Sequence, residues 1–271
     1  MSWDVVRFPF VNNNNTSGET DMLELKNISF QIDDDNQSKE IIRDVSLVIP
    51  DEKLVVITGP NGGGKSTLAR LIAGIEKPTS GKILLDGQDI TEMSITERAK
   101  SGIAFAFQQP VRFKGIQVFD LIRLATGKKI SAADACEYLS AVGLCAKDYI
   151  DREVNSSLSG GELKRIEIAT VLARKSRLSV FDEPEAGIDL WSFGNLIEVF
   201  EEMRKEIDNS SILIISHQER ILSIADEIVV LKDGKVASCG AREEILPQLL
   251  GTSSAVESCK PNSILKGAAK A

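Results

Sequence analysis

Nine consecutive residues combine glycines with a lysine and two hydroxyl side chains. They are Gly59, Pro60, Asn61, Gly62, Gly63, Gly64, Lys65, Ser66 and Thr67. Their spacing fits the pattern G-x-x-x-x-G-K-[ST], in which backbone N–H groups wrap around a chain of phosphates. An apolar run, Leu54–Thr58, precedes the loop, and a segment with helical character, Leu68–Ala73, follows it. The order strand, glycine loop, helix is the context that this pattern requires.

The chemistry predicted for this loop is the binding of a nucleoside triphosphate. The N-terminus of the following helix adds the positive end of its dipole. We expect Lys65 to reach the β- and γ-phosphates and Ser66 to ligate Mg²⁺. An ordinary glycine-rich turn is the alternative, but such a turn does not need a Lys-Ser pair in this register after a strand.

Two adjacent carboxylates, Asp182 and Glu183, follow the apolar run Leu178–Phe181. Ligands of open α/β sheets bind outside the C-terminal ends of the strands. Asp182 is therefore predicted to hold the Mg²⁺ shell, and Glu183 to polarise the attacking water. Two surface carboxylates at a strand end are the alternative, which the upstream phosphate loop disfavours.

A second helix start that contains glycines lies at Leu158–Glu162. Ser159, Gly160 and Gly161 come directly before Glu162, where we expect a helix to run on to Arg174. This is a second candidate anion-binding terminus. One γ-phosphate does not need two such termini from one chain, so the second is predicted to face a nucleotide held by another subunit. Two ATP molecules would then lie between the subunits of a head-to-tail homodimer; a simple helix cap is the alternative.

Two further polar residues follow apolar strands. His217, the only histidine of the chain, comes after Ile212–Ser216 and is predicted to lie beside the γ-phosphate. Gln108 follows Ile103–Phe107 and is a candidate contact to Mg²⁺ or to the attacking water. Gln109 competes for that role, and a structural histidine is the alternative for His217.

The composition limits the remaining function classes. The chain has 271 residues and a formal net charge of −8 without a long basic cluster, which disfavours nucleic-acid binding. Its aliphatic runs are far shorter than the ~20 residues of a membrane-spanning helix. The N-terminus lacks the basic-then-apolar pattern of a signal peptide, and the four cysteines are scattered. These features predict a cytoplasmic protein.

The order of the segments predicts one ATPase domain, residues 21–250, between polar tails at 1–20 and 251–271. Within the domain, residues 93–158 have few strand signals and are predicted to be a mostly helical insert. The predicted strands are Leu23–Phe30, Val45–Ile49, Leu54–Thr58, Gly81–Gly87, Ile103–Phe107, Leu178–Phe181, Ile212–Ser216, Glu227–Lys232 and Lys235–Cys239. The predicted helices include Val118–Ala125, Ser131–Val142 and Leu190–Asp208. The polar stretch Asp33–Lys39 is predicted as a hairpin loop, and Asp233-Gly234 as a type I′ turn.

These motifs occur in the order found in ABC-type ATPase domains, with Asp189 as a further nucleotide-binding residue, and the chain resembles that family over about residues 22–250. The resemblance implies an α/β P-loop NTPase with a RecA-like core, an antiparallel β subdomain and an inserted helical subdomain. It also implies an enzyme that binds and hydrolyses ATP and dimerises on ATP. In this family an aromatic residue near the end of the first strand stacks on adenine. That position falls here on Ile32, with Phe30 on the same strand face, so an aliphatic contact is expected instead.

Four details resemble the Suf-system ATPase subfamily (SufC) of iron–sulfur cluster assembly. They lie in the segments Glu162–Ile168, Pro184–Asp189, Phe107–Gly115 and His217–Leu222. This resemblance predicts a soluble Suf-type scaffold as the partner. The alternative is the ATP-binding subunit of a membrane importer, with a permease as the partner. A regulatory cassette without fast turnover is a third class, which the intact Glu183 argues against.

The loop from Gln108 to Gly115, with the helical insert behind it, is the predicted docking surface for the partner. Val111, Phe113 and Ile116 are apolar residues beside a predicted switch residue. The alternative is that Phe113 packs into the helical subdomain.

Overall fold

The computed structural model describes residues 21–34, 37–155, 157–205 and 208–253. The predicted N-terminal tail, 1–20, lies outside these residues, as does the part of the predicted C-terminal tail after Ser253. Of the predicted C-terminal tail, the first residues continue a helix to Ser253. The helices of the described residues include none that is long and apolar enough to cross a membrane.

Ten strands form two sheets within the described residues. The strands are β1 (Asp21–Asp34), β2 (Gln37–Pro50), β3 (Leu54–Thr58), β4 (Ser80–Leu85), β5 (Gln88–Asp89), β6 (Ile103–Ala106), β7 (Leu178–Asp182), β8 (Ser211–Ile215), β9 (Glu227–Lys232) and β10 (Lys235–Ala241). The larger sheet has the order β10-β9-β3-β8-β7-β6, and the smaller one the order β2-β1-β4-β5.

The helices surround the larger sheet. They are α1 (Lys65–Ala73), α2 (Ile95–Lys100), α3 (Val118–Thr126), α4 (Ala132–Ala141), α5 (Ala146–Tyr149), α6 (Gly160–Arg174), α7 (Leu190–Lys205), α8 (Glu219–Ser223) and α9 (Arg242–Ser253). With the antiparallel small sheet and the helices between β6 and β7, this is the predicted α/β P-loop fold.

The larger sheet is parallel except for β10, which pairs antiparallel with β9. Every residue of β3, β7 and β8 is buried, because both faces of these strands are covered. One face packs on α1 and the small sheet through residues such as Val55 and Leu68. The other packs on helices that include α6 and α7, through residues such as Val56 and Phe200. Parallel strands place their C-terminal ends at one edge, so the loops after β3, β6, β7 and β8 meet there.

The predicted helical stretch 93–158 begins with two elements of the core. These are α2 and β6, and β6 pairs with β7 at the edge of the larger sheet. The part whose named elements are all helices therefore starts after Ala106. Within it, Ser131 caps α4 and exchanges hydrogen bonds with Asp134, which confirms the predicted cap.

Turn chemistry was predicted better at one hairpin than at the other. Asp233 and Gly234 have φ angles of 50° and 76°, as a type I′ turn requires. The predicted loop Asp33–Lys39 is shorter in the structure, because β1 runs to Asp34 and β2 begins at Gln37. Pairing of the two polar strand ends overrides their loop-like composition. The short elements β5, α2, α5 and α8, and the terminal α9, were not predicted.

Candidate nucleotide-binding site

The phosphate loop joins β3 to α1 and is pressed against β9 and β2. Gly59 has a φ of 137°, and a Cβ there would lie 2.0 Å from the carbonyl oxygen of Leu231. Gly64 is the N-cap of α1 with a φ of 98°, and its Cβ would lie 2.7 Å from Cδ1 of Ile42. Side chains at these two positions would push the loop away from the strands, so glycine is required.

The lysine of the loop is buried and bonded to the loop itself. Lys65 is 5% exposed, and its Nζ donates to the carbonyl oxygens of Gly59 at 2.8 Å and Pro60 at 3.1 Å. Its ammonium group is thus held over the loop, where a charged phosphate oxygen would be a stronger acceptor. Asn61 and Gly62 are exposed. Gly63 is buried, and Thr67 is half-buried in the first turn of α1.

Four predicted residues meet at the ends of β3, β6 and β7. The hydroxyl of Ser66 donates to Oδ1 of Asp182 at 2.9 Å. The side-chain amide of Gln108 donates to Oε2 of Glu183 at 2.5 Å. Asp182 is 1% exposed. Burial raises the pKa of its carboxyl, and the hydrogen bond from Ser66, which lowers the pKa, offsets only part of this rise. Hydroxyl and carboxylate oxygens are ligands that Mg²⁺ prefers, and a bound cation would favour the charged form of Asp182.

Glu183 is held in an uncommon backbone conformation. Its φ is 44°, and its backbone N–H donates to the carbonyl oxygen of Ile215 at 3.0 Å. A positive φ at a residue other than glycine is uncommon and recurs at functional sites. The hydrogen bond fixes the turn after β7 against β8, so the Glu183 carboxylate is aimed by backbone contacts as well as by Gln108.

His217 follows β8 and lies beside the turn that carries Glu183. In the sheet register Asp182 pairs with Ile215. His217 is exposed, with its Nε2 3.4 Å from Nε2 of Gln218. The residue before it, Ser216, is fully buried.

A carboxylate that was not predicted as a site residue supports this segment. Ser216 Oγ donates to Oε1 of Glu185 at 2.5 Å and accepts from the backbone N–H of Gln218 at 3.0 Å. Burial raises the pKa of the Glu185 carboxyl, and its Oε2 is buried without a hydrogen-bond partner among the described residues. The sequence signal was the acidic residue that follows Pro184, although its link to Ser216 needed the fold.

The second glycine motif starts α6 and is capped by its own side chains. Ser159 Oγ accepts from the backbone N–H of Glu162 at 3.2 Å, and Glu162 Oε2 accepts from that of Ser159 at 2.6 Å. Tyr149 donates to Oε1 of Glu162 at 2.5 Å, which is the main reason that the Glu162 pKa falls to about 2. Ser159 and Gly160 are exposed. Among the described residues, no hydrogen bond or ion pair joins Ser159, Gly160 or Gly161 to the phosphate loop.

The two candidates for an adenine contact differ in exposure. Phe30 is 8% exposed and belongs to the core under the small sheet, so its ring is occupied. Ile32 is 50% exposed. Asp189 is also exposed, at the start of α7, where its carbonyl oxygen accepts from the backbone N–H of Phe193.

Residues of α6 also reach the Gln108 segment, which sequence reasoning did not predict. Lys164 is fully buried, and its Nζ lies 3.2 Å from Oε2 of Glu167. Both side chains bond the backbone of Phe107, directly before Gln108. A buried lysine is rarely predictable from sequence, because lysine is mostly a surface residue.

Apolar side chains are exposed around the loop after Gln108. Val111 is 43% and Phe113 36% exposed, and Ile116 is half-buried. The backbone N–H of Phe113 donates to the carbonyl oxygen of Val154 at 2.8 Å. The loop is therefore anchored at Phe113, although the ring of Phe113 is exposed. A neighbouring groove between α2, α3 and α6 includes Leu124, which is 65% exposed.

The fold and the site together define a P-loop ATPase of the cassette type. Residues 42–186 match the family model described as ABC transporter. An uncharacterized ABC transporter ATP-binding protein of Methanocaldococcus jannaschii is 38% identical over 216 residues, which are 77% of this chain and 86% of that protein. The chain belongs to the ABC transporter family and is one of its ATP-hydrolysing ATP-binding proteins.

Other relatives are named for different functions. The probable ATP-dependent transporter ycf16 of Cyanophora paradoxa is 31% identical over 83% of this chain and 90% of its own length. The spermidine/putrescine import ATP-binding protein PotA of Mesoplasma florum is 32% identical over 84% of this chain, which spans 63% of that protein. A solved dimeric ATP-binding cassette with ADP and Pi superposes with a TM-score of 0.73 at 24% identity, over 82% of this chain and 99% of that one. That likeness concerns the fold.

Proposed function

We propose that the chain is an ATPase subunit in which two copies close head to tail on two ATP molecules and transmit this motion to a partner protein. The observation that carries the catalytic part is the cluster of Ser66, Asp182, Glu183 and Gln108. These residues come from three separate segments, at the start of α1, after β6 and at the end of β7, and their side chains lie within hydrogen-bond distance in two pairs. Such a cluster beside a phosphate loop suits phosphoryl transfer to water.

Each side chain of the cluster has a role in this reaction. The loop amides and Lys65 hold the β- and γ-phosphates, and Lys65 offsets charge that develops on the γ-phosphoryl group. Ser66 and Asp182 are the residues that would hold Mg²⁺, which neutralises phosphate charge when bound. Glu183 orients the attacking water and accepts its proton, while Gln108 keeps the Glu183 carboxylate in place.

The exposure of the residues at the start of α6 supports the dimer. Ser159 and Gly160 are exposed and not bonded to the phosphate loop of their own chain, so they are available to a nucleotide on another subunit. His217 is exposed at the same sheet edge as Glu183, where it would contact the γ-phosphate. Asp189 is exposed as well, directly before α7, as a residue of a subunit interface would be.

The proposed partner is a soluble scaffold of the Suf type. The support is the sequence of α6, with Glu162, Lys164 and Glu167, together with Glu185 and Gly187 after the catalytic glutamate. The second candidate partner is a membrane permease, since relatives such as the Mesoplasma florum protein are named for import. In both cases we propose that the partner docks on the exposed side chains of Val111 and Phe113.

Purification of the tagged chain from its native cells, with identification of the bound protein, tests the partner. Phe113→Asp is expected to abolish this association and to leave ATP affinity unchanged, because Phe113 is exposed and outside the phosphate contacts. Leu250→Asp is the matched control, since Leu250 is an exposed apolar residue on α9. Recovery of a permease would favour the importer, and retention of the partner by Phe113→Asp would exclude this docking surface.

A further inference from the structure

Two charged residues of α6 hold both backbone polar groups of one residue, Phe107, in the Gln108 segment. Lys164 and Glu167 are three residues apart and therefore share a face of the helix. The Lys164 side chain is fully buried and that of Glu167 is 15% exposed. Lys164 Nζ donates to the carbonyl oxygen of Phe107, and the backbone N–H of Phe107 donates to Oε1 of Glu167 at 3.0 Å. The ion pair between the two side chains closes the arrangement at 3.2 Å.

This arrangement replaces hydrogen bonds that the sheet does not supply. Strand β6 ends at Ala106, so the two backbone groups of Phe107 lie beyond the ladder that pairs β6 with β7. Buried backbone groups need partners, and a buried ammonium group is costly unless it is paired and hydrogen-bonded. Here Lys164 and Glu167 each bind one backbone group of Phe107, and each charge is also paired with the other. An apolar pair would fill the space on α6 but would leave Phe107 unheld.

The residue that follows Phe107 is Gln108, whose amide meets the Glu183 carboxylate at 2.5 Å. The conformation of Gln108 depends on the backbone directly before it. Gln108 itself is exposed, so packing does little to fix it. The contacts from α6 therefore fix the backbone before Gln108, which the exposed surroundings of Gln108 do not fix.

We propose that Lys164 and Glu167 are positioning residues for ATP hydrolysis, which fix Phe107 so that Gln108 meets Glu183. The same two residues connect this site to the Ser159 helix start, because both lie on α6. A displacement of α6 on engagement of Ser159 by a second subunit would reach Gln108 through one rigid element. The inference rests on the proposed roles of Gln108 and Glu183.

The test separates positioning from stability by replacing both charges with apolar side chains of similar size. In Lys164→Met/Glu167→Leu a buried ion pair is exchanged for packing, which is often neutral for stability. The full-length protein is expected to lose ~10–100-fold in kcat, as a misplacement of about 1 Å can cause. KM for ATP and ADP affinity should stay within about twofold, because ground-state binding is untouched.

A milder variant and a control complete the series. Glu167→Gln keeps an acceptor for the Phe107 N–H and removes the charge, so its kcat should lie between the wild type and the double variant. If the double variant does not fold, Glu167→Gln alone tests the positioning role. Asp120→Ala breaks an exposed ion pair of the same spacing on α3 and should leave kcat unchanged.

The deciding comparison repeats these variants in a Gln108→Ala background. If Lys164 and Glu167 act through Gln108, replacing them in the Gln108→Ala background should lower kcat little further. Full additivity of the two losses would overturn the positioning role while leaving the proposed function intact, as would an unchanged kcat in Glu167→Gln. A Gln108→Ala variant with normal kcat would overturn the role of Gln108 and this inference together.

Discussion

Two helix starts in this chain are candidates for contact with phosphate, and they are built differently. At α1 the N-cap is Gly64, without a side-chain hydrogen bond and without an acidic residue in the first turn. At α6 the cap is Ser159, whose side chain and Glu162 satisfy each other's backbone groups and place a carboxylate in the first turn. The donors at α1 are left to an anion, whereas those at α6 are partly used. We infer that α6 alone binds phosphate poorly and serves to complete a site on another subunit.

The largest effect is expected on the α1 side of this comparison. Lys65→Ala removes the cation that the loop carbonyls hold, so the affinity for ATP and its hydrolysis should both be lost, whereas loss of one group that stabilises transition-state charge costs ~10²–10³-fold in rate alone. The measurement is phosphate release under saturating Mg-ATP, with circular dichroism to show that the fold is intact. Lys77→Ala, which removes an exposed surface ion pair, is the control. Near-normal hydrolysis by folded Lys65→Ala would mean that the loop does not hold the reacting phosphate.

A second variant separates chemistry from binding. Glu183→Gln preserves the shape of the side chain and removes its ability to accept a proton, so kcat should fall by ~10²–10⁴-fold while Mg-ATP still binds. If two copies close on ATP, this variant should accumulate the dimer, which sizing with light scattering detects. Glu92→Gln, at an exposed carboxylate, serves as the control. Turnover equal to the wild type would assign the catalytic base to another residue.

The smallest effect is expected at the α6 cap. The pKa of Glu162 is lowered to about 2 by the hydrogen bonds from Tyr149 and Ser159, so its carboxylate stabilises the folded state. Because the folded pKa lies below the ordinary value of 4.5, this contribution is complete above about pH 4.5 and is lost as the pH falls toward 2.

Glu162→Gln should therefore lower the urea unfolding midpoint by a constant amount between pH 5 and 7. The corresponding loss in the free energy of unfolding is ~0.5–2 kcal/mol, which is typical of a helix cap. The difference from the wild type should shrink below pH 4.5. Asp134→Asn, at the similar cap of α4, should show the same pH dependence, because hydrogen bonds from Ser131 also lower the pKa of Asp134. A difference that grows as the pH falls would contradict the ionised cap.

The sequence was most informative where chemistry requires particular residues at fixed spacing. The loop Gly59–Thr67 and the pair Asp182 and Glu183 follow apolar strands whose C-terminal ends meet, so their proximity could be predicted. The contact between Gln108 and Glu183 joins residues far apart in the chain, and it needed the order of β6 and β7. Coordinates were also needed to show that the glutamine in contact with Glu183 is Gln108, whereas its catalytic role stays a prediction.

The residues that sequence reasoning missed are those whose role lies in a tertiary contact. Lys164 and Glu167 look like ordinary charges on a helix, and only burial against Phe107 distinguishes them. Glu185 was noticed as unusual, but its bond to Ser216 depends on the packing of β7 against β8. Short elements such as α2 and β5 were missed because a few residues carry too little periodicity.

The central claim is that α1 of one subunit and α6 of another form one catalytic site. It is tested most directly by mixing Ser159→Arg subunits with Lys65→Ala subunits at constant total concentration and measuring Mg-ATP hydrolysis across the ratio. In a head-to-tail dimer both lesions can fall in one site, which leaves the other site intact. Hydrolysis should therefore rise from near zero for either variant alone to a maximum at equal amounts. A mixture no more active than the sum of the two variants would contradict a site shared between subunits.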